Sequence, residues 1–224
     1  MSFSFETWHI TLFSLAVGLA STLLILPFGI ALAWLFARKE WPLKSVAETV
    51  VLLPLVLPPV STGLILLKIF GRRSPLGQWL YERGIEIVFN WKGVLIAMSV
   101  MSFPLLVRSV RTSFAEVNPR LEQIAATLGA SPLRIFFVIT IPLAYKGIVA
   151  GALLAFSRAL GEFGATILLA GNIPGRTQTL SLAIFNFVQT GNDADAYLLL
   201  AITVMLAFSF VWCSEWLLRV GKKN

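Results

Sequence analysis

Five long apolar stretches, at 10–37, 46–70, 93–113, 142–170 and 197–218, govern what this chain can fold into. Each reaches the roughly 20 residues that a helix needs to cross a bilayer core of about 30 Å. Inside lipid every backbone N–H and C=O must find a partner within the protein, which leaves helices or closed barrels. Barrel strands would be shorter and would alternate apolar with polar residues, and these stretches do neither. The expectation is an all-α integral membrane protein with about five transmembrane helices, forming one domain over 1–224. A chain that is 57% hydrophobic and 13% charged has no ordinary soluble fold open to it.

The charges say how such a bundle sits. A net charge of +7 would fit nucleic acid in a soluble protein, but here the basic residues gather at the ends of apolar stretches, so no nucleic-acid partner is expected. Arg38, Lys39 and Lys44 follow the first stretch. Arg108, Arg111, Arg120, Arg134 and Lys146 surround a central loop over 114–141, and Arg219, Lys222 and Lys223 end the chain. If helices alternate, these eleven share one side, against Arg72, Arg73, Arg83, Lys92 and Arg176 on the other. The bias puts the N-terminus outside and the central loop and C-terminus in the cytoplasm. With no Lys or Arg ahead of it, the first stretch reads as a retained span rather than a cleaved signal. His9, beside Trp8, reads as an interfacial anchor.

Catalytic equipment is sparse. One histidine, one cysteine (Cys213) and few carboxylates provide no thiolate metal site, no HExxH and no Ser/His/Asp set. The chain is expected to be no enzyme by itself and to bind no metal or cofactor of its own.

Three features stand out within the spans and loops. Pro54, Pro58 and Pro59 crowd the second stretch; each removes a backbone donor and clashes with the preceding turn, so this helix must bend or break. Irregular backbone at membrane depth survives only against protein or a water-filled cavity, so Ser61 and Thr62 either line a pathway or pack a kink. Arg158 and Glu162 in the fourth stretch stand four apart and can pair on a face continued by Gly151 and Ala155. A charge at the bilayer centre costs about 2.5–3.5 kcal/mol or more, so the pair faces the bundle interior, beside a route, at a subunit seam or as buried structure. Just outside, the turn-rich loop 170–179 offers Asn172 and Thr177 either to an anion or to its own folding. Glu215 and Arg219 form a second possible i, i+4 pair in the last helix, and 180–188 is too short to span.

The central loop has its own punctuation. Gly129 suits a left-handed helix C-terminus, Ser131 an N-cap and Pro132 the first turn of a new helix. A short helix is expected from there, presenting Leu133, Phe136 and Phe137 on one side. A loop built this rigidly is either a docking element or a tidy connector.

These residues carry a resemblance. Segment 121–143 resembles the EAA signature of ABC importer permeases: E-A-A, three residues, Gly, nine residues, then I-x-L-P. Gln123, Ile124 and Ala125 stand at the E-A-A positions, Gly129 at the glycine, and Ile139 to Pro142 at the ending. The spacing is complete; Gln123, Ile124 and Ile141 differ in type, and Glu122 places an acid one residue early. LLPLVLPPVSTG at 52–63 and SRALGEFGATILLAGNIPGRTQTLSLAI at 157–184 are similar to permeases for molybdate, sulfate and tungstate, and AGNIPGRTQTL points to the molybdate branch. The resemblance implies a type I importer permease in a bacterial inner membrane, working by alternating access. It implies a homodimer, two cytosolic ATPase subunits that hold ATP and magnesium, and a periplasmic oxyanion-binding protein. It assigns contact with the ATPase to Leu128, Gly129, Ala130, Ser131, Pro132, Leu133, Arg134, Phe136 and Phe137, with Glu122, Gln123 and Ala125 before them. Sulfate, thiosulfate or tungstate cargo, and an ion-coupled secondary transporter, are the alternatives.

Overall fold

A computed structural model describes residues 5–221; Lys222 and Lys223, counted above in the charge bias, lie outside them. Among the described residues the regular structure is all helical. α1 (Phe5–Arg38) is 34 residues long, about 51 Å at 1.5 Å per residue, longer than a bilayer core of about 30 Å. α2 (Lys44–Val56) and α3 (Pro59–Phe70) make up the second stretch, followed by the short α4 (Pro75–Glu82). α5 (Trp91–Glu116) leads to α6 (Pro119–Thr127) and the single turn α7 (Pro132–Ile135). A π-helical turn (Phe136–Thr140) passes into α8 (Ile141–Leu160). α9 (Gly164–Leu169), α10 (Leu180–Gln189) and α11 (Asp193–Gly221) complete the chain.

Four continuous helical segments are long and apolar enough to cross a membrane, and the α2–α3 pair makes five if it is taken as one broken span. The pair is bent by 111° at Leu57 and Pro58, as the prolines require: Pro58 and Pro59 have no N–H with which to continue the first helix. It still traverses the bundle. Near its start Glu48 pairs with Arg111 at one end of α5, while Phe70 at its finish packs against the same buried cluster as Val88, beside the other end.

α5 is the hub. Val94, Ala97, Met98, Leu106, Val110 and Phe114 are buried along it, with α1 and α8 against its sides. The small-residue face of α8 makes that approach possible. A Cβ at Gly147 would land on Ser113, and one at Gly151 would sit 3.1 Å from Ser109 and Val110. Several buried hydroxyls in the spans bond back to their own helix, as Ser21 and Thr22 do to the Gly18 carbonyl, which satisfies them within the protein. α11 lies against α8, where Ser214 donates to the Ala150 carbonyl at 3.0 Å, and leaves Met205, Phe208 and Trp212 exposed. α10 lies across α1 and α11, with Leu180, Leu182 and Ala183 buried.

Two boundaries differ from the sequence expectation. The fourth span does not run over 142–170; it runs from Pro132 to Leu160, with the loop's last helix built into it, and α9 is a separate short helix. The break falls at Gly161–Phe163, where the Glu162 side chain caps the new helix by accepting from Ala165 N at 2.8 Å. Nor do Glu215 and Arg219 close an ion pair: they share an exposed face of α11, and no bond within 4.0 Å joins them.

Candidate functional site

The central loop is a built structure rather than a tether. Asn118 caps α6, its side chain accepting from Arg120 N at 3.0 Å, with Pro119 in the first turn. α6 ends in a full Schellman arrangement. Gly129 N donates to Ala126 O and Ala130 N to Ala125 O, both at 3.0 Å, and Gly129 takes φ +85°. Ser131 then caps α7 through Arg134 N, with Pro132 in the first turn. The three punctuation residues occupy the roles their chemistry predicts.

What the loop presents differs from expectation at Glu122 and in part at Phe136. Ile124, Leu128, Leu133 and Phe137 are exposed, and Leu128 is 83% accessible, the profile of an apolar ridge without a partner in this chain. Gln123, Ser131, Pro132 and Arg134 lie beside them, exposed, with Ala125 and Ala130 half-buried. Phe136 is half-buried: it meets Phe137 edge-on at 5.1 Å and lines an apolar groove with Pro132 and Leu133, while its ring also lies 5.5 Å from Trp34 and 6.2 Å from Phe114 on the α1–α5 seam.

Glu122 is turned inward. Its Oε1 accepts from Arg38 Nε at 3.2 Å, Arg38 Nη2 at 3.1 Å and Thr140 Oγ1 at 2.8 Å. Neither Arg38 nor Thr140 stands out in the sequence as a site residue, since both partners are distant along the chain. An acid in a short loop and an arginine ending a span on the same side is the one available signal.

At membrane depth, α3 and α9 meet closely. A Cβ at Gly63 would fall 2.8 Å from Ala165 Cα, and one at Gly164 would fall 2.7 Å from Pro59 Cβ. Thr62 and Thr166 are buried on these helices with hydroxyls that find no partner among the described residues, while Ser61 is half-buried and Pro58 and Pro59 are exposed. Pro54, half-buried, lies in α2 beyond the bend. Arg158 Nη1 donates to Glu162 Oε2 at 2.9 Å, forming the expected i, i+4 pair. The two ends of that pair are unequal: the Glu162 side chain is 1% exposed and that of Arg158 28%. Glu162 is therefore consumed by Arg158 and the α9 cap, whereas Arg158, partly exposed, uses only Nη1 in that pair. In the adjoining loop, Thr177 is buried and fully used, accepting from Ile173 N at 3.0 Å and donating to Gly171 O at 3.2 Å. It closes the turn instead of offering a donor to an anion. Asn172 Oδ1 is buried without a partner.

Residues 25–219 match the family described as "Binding-protein-dependent transport system inner membrane component". The chain belongs to this family. It is 46% identical over 219 residues to the molybdenum transport system permease protein ModB of Escherichia coli (strain K12), covering 97% of this chain and 96% of that one. The sulfate transport system permease protein CysT of the same organism is 36% identical over 186 residues, covering 81% and 67%. Among solved structures, a chain of the inward-facing MetNI methionine ABC transporter superposes with a TM-score of 0.70 at 16% identity, over 97% of this chain and 99% of that chain. At that identity the likeness speaks for the fold, a type I ABC importer permease, while the family places this chain among multi-pass inner-membrane proteins.

Proposed function

We propose that this chain is the membrane-spanning permease subunit of an ATP-driven importer that carries molybdate into the cell. The observation that carries the reading is near-full-length identity of 46% with a molybdenum permease, against 36% over a shorter stretch with a sulfate permease. Two copies of the chain enclose the route, and a periplasmic oxyanion-binding protein delivers cargo to its outer mouth. Two cytosolic ATPase subunits, which hold ATP and magnesium, dock on the central loops; the permease does no bond chemistry itself.

Physical features support each part. The exposed ridge of Ile124, Leu128, Leu133 and Phe137 is apolar surface on a rigid loop, and burial in a groove of the ATPase would remove its cost in water. ATP-driven closure of the two ATPases then moves the loops, and rocking of the helices alternates access. The bend at Pro58, the Thr62 and Thr166 hydroxyls and the partly exposed Arg158 line or border the route. A conduit must release what it admits, so the permease holds no tight oxyanion site and selectivity resides in the binding protein.

The test is reconstitution of the chain with its ATPase in proteoliposomes, with binding protein loaded by molybdate, tungstate or sulfate. ATP hydrolysis and uptake should both rise with the molybdate-loaded protein and not with sulfate. Uptake that proceeds without ATP would refute the importer reading. Stimulation by sulfate alone would move the cargo to the alternative anion.

A further inference from the structure

We propose that Arg38, Glu122 and Thr140 form a transmission clasp that delivers movement of the central loop to α1, α5 and α8 as one body. The inference rests on the reading that an ATPase docks on this loop, and it assigns the step that follows docking.

The geometry is unusual for a surface loop. A single carboxylate oxygen on α6 gathers three donors from two other parts of the chain: two nitrogens of the Arg38 guanidinium at the end of α1 and the hydroxyl of Thr140 in the π-helical turn. Arg38 Nη2 also donates to Val117 O at 2.8 Å, at the C-cap of α5. The ends of α1 and α5, the loop helix α6 and the entry to α8 therefore meet at one point. The point is sheltered: the Arg38 and Glu122 side chains are 12% and 19% exposed, and Thr140 is 1% exposed. Hydrogen bonds to charged groups in such surroundings are stronger and more directional than exposed ion pairs, which contribute little.

Location decides the role. Thr140 closes the π-helical turn, in which Ile141 N reaches back to Phe136 O. Such turns are wider and less regular than α-helix, and they recur at functional positions. Without a tie, a displacement of α6 would be absorbed there as a change of pitch. The bond from Thr140 to Glu122 bypasses that soft turn, while Arg38 passes the same displacement to the long α1. The exposed ridge and the clasp thus divide the loop's work: outward residues receive the push, and inward polar residues pass it on.

The test uses the full complex in proteoliposomes and reads molybdate taken up per ATP hydrolysed, a ratio that support of the loop alone would not change. In Glu122→Ala, assembly should survive and stimulated hydrolysis should stay within roughly twofold, while uptake per ATP falls roughly tenfold, within the usual span of coupling between linked sites. Thr140→Val, which removes one hydrogen bond, should lower the same ratio less. Arg38→Lys, which keeps the charge but loses the forked geometry, should fall between. If Glu122→Ala fails to assemble, the ratios of the two milder variants decide. Hydrolysis and uptake falling in proportion, or both unchanged, overturns the clasp. A wild-type complex whose hydrolysis ignores loaded binding protein overturns the importer reading, and this inference with it; a coupled wild type with unaltered variant ratios overturns the clasp alone.

Discussion

Gly129 allows the loop's architecture to be tested quantitatively. It sits at φ +85°, and a Cβ built there meets no atom within 4 Å, so within this chain a side chain would suffer no clash. The whole cost of substitution is then conformational. A non-glycine residue in the left-handed region costs about 1–2 kcal/mol, less for asparagine, which tolerates that region, and more for a β-branched residue. If the docked ATPase requires the loop as it stands here, that cost appears in binding. One factor of ten in affinity corresponds to about 1.4 kcal/mol, so Gly129→Ala should weaken assembly by about five- to thirtyfold and Gly129→Val by more. Gly129→Asn should lie close to wild type. The assay is titration of purified ATPase against the permease dimer in detergent, with the dissociation constant read for each variant. Asparagine as damaging as valine would refute the reasoning, because the defect would then follow side-chain volume and report close approach of the partner, not backbone handedness.

Three further outcomes follow from the membrane interior. Gly63→Ala puts a methyl 2.8 Å from the Ala165 backbone, so it should separate α3 from α9 and lower stability by about 1–3 kcal/mol, seen as a lower melting temperature in detergent. Arg158→Ala leaves the buried Glu162 carboxylate without its cation and should cost about 3–5 kcal/mol, read as loss of folded yield; Arg158→Ala with Glu162→Gln should recover part of it, and no recovery would mean the pair is not what holds this break together. Replacing Pro58 and Pro59 together by alanine restores two backbone donors and should reduce the 111° bend. Uptake should then fall with ATPase assembly intact, and unchanged uptake would remove the bend from the transport route.

How much of this the residues disclose depends on the reach of each interaction. Properties set within a few positions are readable. Apolar length announces the crossings, three prolines announce the break in the second, and Gly129, Ser131 and Pro132 mark where one loop helix stops and the next starts. Arg158 and Glu162 are four apart, and their bond forms at 2.9 Å. The same rule over-reads Glu215 and Arg219, because on an exposed face nothing offsets the entropy of ordering two long side chains. The end of α8 is hidden for a different reason. Residues 161–163 interrupt a run that stays apolar to Ala170, so hydropathy carries straight across, and only Gly161, Gly164 and the capping role of Glu162 betray the gap. Glu122 shows the largest gap between local and tertiary reading. Its position beside the E-A-A triplet makes it look like a contact for a partner, yet the bonds that claim it come from 84 residues before and 18 after. Local periodicity reports which face a side chain shares with its neighbours; it cannot report that a distant arginine has already bound that side chain. The polar residues of this loop accordingly separate into two sets. Those bound inward tie the ends of α1, α5 and α8 to the loop, and those left outward stand exposed beside the apolar ridge.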